Sequence, residues 1–115
     1  MPERILVVDD DPGMQAALQE VLDKRGYEGD AAFSAEEALQ KVARTSYDLI
    51  LLDVRLPGIS GIEAIPRIIN SGDQGDIIMM TAHGSKEMAL EAIAKGAYDY
   101  FTKPFELQDL RITIQ

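Results

Sequence analysis

Apolar runs recur along the chain, and each ends on a polar group. Ile5 to Val8 is followed by Asp9 and Asp10, and Leu49 to Leu52 by Asp53. Asp76 to Met80 leads into Thr81, and Tyr98 to Thr102 leads into Lys103 and Pro104. Each run has the length and composition of a strand. Tyr27 to Phe33 reads as another strand. Between the runs, apolar residues fall at helical spacing. Met14, Ala17, Leu18, Val21 and Leu22 stripe a helix expected over 12–25, with Asp11 as its cap, Pro12 at its first position and Gly26 at its end. Ser34 and Glu37 form a capping-box pattern ahead of Ala38, Leu39 and Val42. Ile62, Ile65, Ile68 and Ile69 are expected to face inward from a helix over 61–70. Pro66 is awkward there: it lacks an N–H and is expected to bend or locally weaken the helix. A fourth helix is expected over 85–95, ended by Gly96, and a last one begins near Glu106.

Five strand–helix units in succession predict an α/β domain with a doubly wound parallel sheet. Strands 1, 3 and 4 are continuous apolar runs, as expected of strands covered on both faces. Strand 2 carries Glu28, Gly29 and Asp30, and strand 5 carries Asp99 and Thr102, so these two read as edges. The order that fits is 2-1-3-4-5, with right-handed crossovers placing helices on both faces. Strand order reverses between strands 1 and 3. Asp9, Asp10 and Asp53 then surround one crevice at the carboxyl ends of the strands, where such sheets bind ligands.

Composition narrows the chemistry. The 115 residues suffice for one domain, and the net charge of −9 argues against a grip on nucleic acid or an anionic membrane. There is no cysteine, hence no disulfide or thiolate metal site. No apolar run approaches the roughly 18 residues that span a bilayer, and the N-terminus lacks a signal-peptide layout, so a cytoplasmic location is expected. Two carboxylates about 4 Å apart repel by roughly 4 kcal/mol at an effective dielectric near 20. Three together recruit a cation, and Mg²⁺ is the hard, oxygen-seeking candidate. Taken singly, an aspartate after a strand is more often a turn former or cap, as Asp11 is here. It is the joint placement of Asp9, Asp10 and Asp53 that favours a metal site. Thr81 and Lys103 offer a hydroxyl and a point charge to a phosphoryl group, and Lys103-Pro104 suits a tight turn with a cis bond. His83, the only histidine, has no second nitrogen or sulfur ligand nearby and is not expected to hold zinc. Met79, Met80 and Met88 are expected to pack, and Glu91 and Asp99 to be solvated.

Four segments carry a resemblance: ILVVDDD at 5–11, LILLDVRLPGISG at 49–61, MMTA at 79–82 and GAYDYFTKPF at 96–105. Together they resemble the receiver domains of response regulators in bacterial two-component signalling. The last segment is similar to receivers of the nitrogen-regulatory class of transcription activators. The resemblance implies a flavodoxin-like (βα)5 fold and a switch that accepts a phosphoryl group from a sensor histidine kinase on Asp53. It implies that Asp9, Asp10, Asp53 and the backbone carbonyl of Arg55 hold Mg²⁺, and that Thr81 and Lys103 contact the phosphoryl group. Tyr100 corresponds to the aromatic that turns inward when Thr81 moves. The output surface implied is helix 4, strand 5 and helix 5, serving an output domain, an effector protein or a homodimer contact. Such a domain promotes only its own phosphorylation and dephosphorylation. The sequence stops inside the last helix, so 1–115 is expected to be one receiver domain excised from a longer chain. Two other readings compete. An Mg²⁺-dependent aspartyl-phosphate phosphohydrolase often needs a second aspartate two positions after the nucleophile, where Arg55 stands. A module with a vestigial site does not need the intact polar set.

Overall fold

A computed structural model of the chain describes residues 3–56, 58–72, 74–81 and 86–102. It contains β1 (Arg4–Val8), α1 (Pro12–Lys24), β2 (Glu28–Ala32), α2 (Ala35–Val42), β3 (Leu49–Asp53), α3 (Gly61–Ile69), β4 (Asp76–Thr81), α4 (Lys86–Ala94) and β5 (Asp99–Thr102). The strands form one parallel sheet in the order β2-β1-β3-β4-β5. The last helix expected from the sequence lies outside the described residues.

Alternation along the central strands explains why this sheet is covered on both sides. Leu6, Val8, Ile50, Leu52, Ile77 and Met79 join a core with Ala38, Val42, Ile62, Ile65 and Ile68 of α2 and α3. Ile5, Val7, Leu49, Leu51, Ile78 and Met80 face the other way and pack with Leu22 of α1. Each large aliphatic side chain buried in this way contributes about 1.5–3 kcal/mol. β2 is the polar edge, with Glu28 and Asp30 exposed.

The caps form as read from the sequence. The Asp11 side chain accepts from Gly13 N, and the Ser34 side chain accepts from Glu37 N, while Glu37 Oε1 takes Phe33 N. Gly26 follows α1 at φ 82°, a left-handed conformation that suits glycine. Two expectations need correction. Ile69 is 45% exposed because it sits on the last residue of α3, beyond the sheet it would have packed on. Ala17 of α1 is exposed, whereas Gln15 is buried. As expected, the α3 helix runs through Pro66, as far as Ile69, with Asn70 N donating to Pro66 O. The missing donor of Pro66 is therefore a local loss and not a boundary.

The end of the sheet away from the strand carboxyl termini is closed by polar contacts. Tyr47, 3% exposed, donates its hydroxyl to Asp30 Oδ2 at 2.8 Å, and Gln74 Oε1 accepts from Tyr47 N. Burial, reinforced by the Asp30 carboxylate, pushes the Tyr47 hydroxyl up to about 12.

Candidate functional site

Register brings the acidic residues together. Val8 pairs with Leu52, so Asp9 and Asp53 are level on neighbouring strands, and Asp53 pairs in turn with Met80. Thr81 is then the next residue along β4, paired with Thr102 of β5. Carboxylate oxygens of Asp9, Asp10 and Asp53 lie within 4.8 Å of one another. Asp9 is fully buried and Asp53 is 7% exposed, while Asp10 stands in solvent. Two buried carboxylates beside a third at the surface form a set of hard oxygen donors with an open side. A small divalent cation fits that chemistry, because it removes the mutual repulsion and takes carboxylates together with waters.

The backbone fixes both buried carboxylates in the same way. Asp11 N donates to Asp9 Oδ1 at 2.9 Å, and Arg55 N donates to Asp53 Oδ1 at 3.2 Å. Each strand thus ends in a turn in which an aspartate receives the amide two residues on. The Arg55 side chain itself is exposed. Below the site, Gly61 N donates to Val54 O, and a methyl group on Gly61 would overlap the carbonyl oxygen of Asp53. The first turn of α3 can approach the site strand this closely only without a Cβ.

Of the other residues singled out in the sequence, Thr81 is placed by its backbone at the end of β4. Lys103, Pro104 and His83 lie outside the described residues. Met79 and Met80 are buried and Met88 packs against the core, as expected, whereas Asp99 is half-buried with its Oδ1 accepting from Tyr100 N. Tyr100 pairs with Met79 and its half-buried ring packs on the α2–α3 side of the core. Its hydroxyl is buried without a hydrogen-bond partner among the described residues.

The two buried tyrosine hydroxyls should answer truncation with opposite signs. Tyr47→Phe removes a satisfied bond and is expected to cost about 1 kcal/mol near neutral pH. Tyr100→Phe removes a hydroxyl whose burial goes uncompensated among the described residues, and is expected to raise stability by about 1 kcal/mol. The Tyr47 hydroxyl also has a pH signature. Its folded value lies above its unfolded value of about 10, so its contribution is intact below that pH. The contribution is lost as pH rises through about 12. Urea melts of both variants, run at neutral pH and between pH 9 and 12, check this. A Tyr47→Phe protein with the same alkaline loss as wild type would rule out the assignment.

Sequence reasoning missed Gln15, which α1 buries behind Asp9. Its signal was available: Gln15, Leu18 and Leu22 share one face at spacings of three and four, so a polar residue interrupts an apolar stripe.

Comparison with known proteins gives the family and the fold. A family model described as the response regulator receiver domain matches residues 5–115. The chain is 37% identical to the sporulation initiation phosphotransferase F of Bacillus subtilis over 115 residues, covering all of this chain and 93% of that protein. It spans only 50% of the transcriptional regulatory protein DltR of Streptococcus agalactiae, at 37% identity over 97% of this chain. Among solved structures, a response regulator from Burkholderia pseudomallei with a phosphorylated aspartic acid, calcium ion and citrate superposes with a TM-score of 0.92. It is 26% identical, over 98% of this chain and 66% of that one.

Proposed function

The chain belongs to the response regulator receiver domain family, and is a phosphorylation-dependent switch; on that premise we propose that Asp53 is its phosphoacceptor. One observation carries the assignment: Asp53 ends the central strand, nearly buried, with its carboxylate within ligand distance of Asp9 and Asp10. We assign Mg²⁺ to Asp9, Asp10, Asp53 and the backbone carbonyl of Arg55. When bound, the metal neutralises charge on the transferring phosphoryl oxygens. Asp53 acts as a carboxylate nucleophile on the phosphorus of a phosphohistidine. The P–N bond breaks as the P–O bond of the acyl phosphate forms, and the imidazole leaves with the electron pair. Lys103 supplies the second positive charge and Thr81 a hydroxyl donor.

The new dianion is a local charge event, and the element it biases is the packing around Tyr100. The buried Tyr100 hydroxyl lacks a partner among the described residues, which leaves this ring at an energetic disadvantage where it sits. Movement of Thr81 toward the phosphoryl group lets Tyr100 repack, and α4 and β5 carry the change to an output domain, an effector or a second receiver. A sensor histidine kinase in the cytoplasm is the expected donor. Among the described residues no helix is long and apolar enough to cross a membrane.

Beryllofluoride, a mimic of the phosphoryl group, tests the switch directly. Added with Mg²⁺, it is expected to shift backbone amide resonances around Asp53 and also along β4, α4 and β5. Asp53→Ala is expected to show neither set. Shifts confined to the immediate surroundings of Asp53 would contradict a relay through Tyr100.

A further inference from the structure

Tyrosines aside, three polar side chains are buried among the described residues: Asp9, Asp53 and Gln15. The first two are the carboxylates of the site. The third is bound to the main chain of one of them. Gln15 projects from the first turn of α1 into the notch where β1 and β2 separate. Its Nε2 lies 2.8 Å from Val7 O, 2.9 Å from Ala32 O and 3.1 Å from Asp9 O. An amide nitrogen has two hydrogens, so one is shared between two carbonyls. The amide cannot be turned over, because three carbonyls face the nitrogen while Oε1 faces Gln19 Nε2 at 3.4 Å. Ala32 O also accepts Asp9 N at 3.0 Å. Both the amide and the carbonyl of Asp9 are therefore tied to this one node.

We propose that Gln15 is a positioning residue for the cation: it clamps the Asp9 main chain so that the Asp9 carboxylate is held ready for the metal. This rests on the reading of Asp9 as a ligand. Without the donors, Val7 O, Ala32 O and Asp9 O each lose the Gln15 contact, and the Asp9 carbonyl loses its tie to α1. The carboxylate must then be ordered at the expense of binding energy. An uncharged donor suits the position. The amide supplies its N–H groups to those carbonyls at no net charge.

The test uses Mg²⁺ itself, titrated into ¹⁵N-labelled wild type, Gln15→Met and Gln19→Met and followed by amide shifts of the Asp9–Asp11 turn. Gln19 is the structural control. It also ties α1 to β2, through Nε2 to Asp30 O at 3.0 Å, and it meets Gln15 only at Oε1, the end of the amide that does not bind the three carbonyls. Gln15→Met is expected to bind Mg²⁺ about tenfold more weakly, the lower end of the loss seen when a partner that orients a ligand is removed. Gln19→Met is expected to keep wild-type affinity. At saturating Mg²⁺ the rate of phosphorylation by acetyl phosphate in Gln15→Met should return to within about twofold of wild type, which separates affinity from chemistry. Should Gln15→Met not fold, wild type still decides. The Gln15 side-chain NH₂ resonances must resist solvent exchange and shift with the same Mg²⁺ midpoint as the Asp9 amide. Wild-type affinity in a folded Gln15→Met, or a fast-exchanging NH₂ that ignores Mg²⁺, overturns the proposal. If wild type binds no Mg²⁺, the ligand reading of Asp9 falls and this inference falls with it.

Discussion

Gly61→Ala is expected to lower stability by about 2–3 kcal/mol and to take the metal site with it. The added methyl would meet the carbonyl oxygen of Asp53, with the Val54 Cα 3.0 Å away. These are backbone atoms, so no flexible side chain can swing aside. Either α3 lifts away from the end of β3, losing the Gly61 N to Val54 O bond, or the Asp53 peptide moves. Overpacking of this kind typically costs about 1–3 kcal/mol, and about 4–8 °C of melting temperature per kcal/mol in a domain of this size. A matched control exists at the far edge of the sheet. Gly75 N donates to Tyr47 O just before β4, and a methyl on Gly75 would overlap the carbonyl of Asp48. Gly75→Ala should therefore destabilise about as much yet leave the Mg²⁺-dependent rise in melting temperature intact. Thermal melts of both variants with and without Mg²⁺ separate the two effects. Equal loss of the Mg²⁺ response in both, or none in either, would show that Gly61 does not hold the site.

Asp10→Ala should do the reverse: stabilise the apo domain and abolish most of its response to Mg²⁺. Asp10 is exposed, so its repulsion from Asp9 and Asp53 is screened. Relief of that repulsion is accordingly put at about 1 kcal/mol, well below the roughly 4 kcal/mol of an unscreened close pair. In wild type, Mg²⁺ at a hundred times its dissociation constant adds about 2.7 kcal/mol to stability. The variant, lacking one ligand, should gain far less at the same concentration. A mutant whose melting temperature rises with Mg²⁺ as steeply as wild type would exclude Asp10 from the metal shell.

Why the carboxylate trio could be read from the sequence is a matter of topology. A parallel sheet puts all strand ends on one edge, and the apolar runs of β1 and β3 leave little freedom in register, since a slip of one residue would turn each strand inside out. Asp9 and Asp53 had to be neighbours once the strand order was known. The edge strands were legible for a similar reason, as Glu28 and Asp30 could not face a core. Helix faces were read less well. Ile69 fits the apolar period of α3 but lies at its last residue, where the sheet no longer covers it. Gln15 is a polar residue, and polarity alone points to exposure. Its place in the apolar stripe of α1 signals burial, but its partners, carbonyls of β1, β2 and Asp9, come from separate segments and no local pattern names them. The closeness of Gly61 to Asp53 is likewise a contact between chain segments that spacing alone does not reveal.

The phosphoacceptor itself is tested most directly by intact mass after incubation with acetyl phosphate. Wild type should gain a single phosphoryl group in the presence of Mg²⁺ and none after chelation. Asp53→Ala should remain unmodified at every Mg²⁺ concentration. A label that persists in Asp53→Ala, or that forms equally well without a divalent cation, would contradict the account.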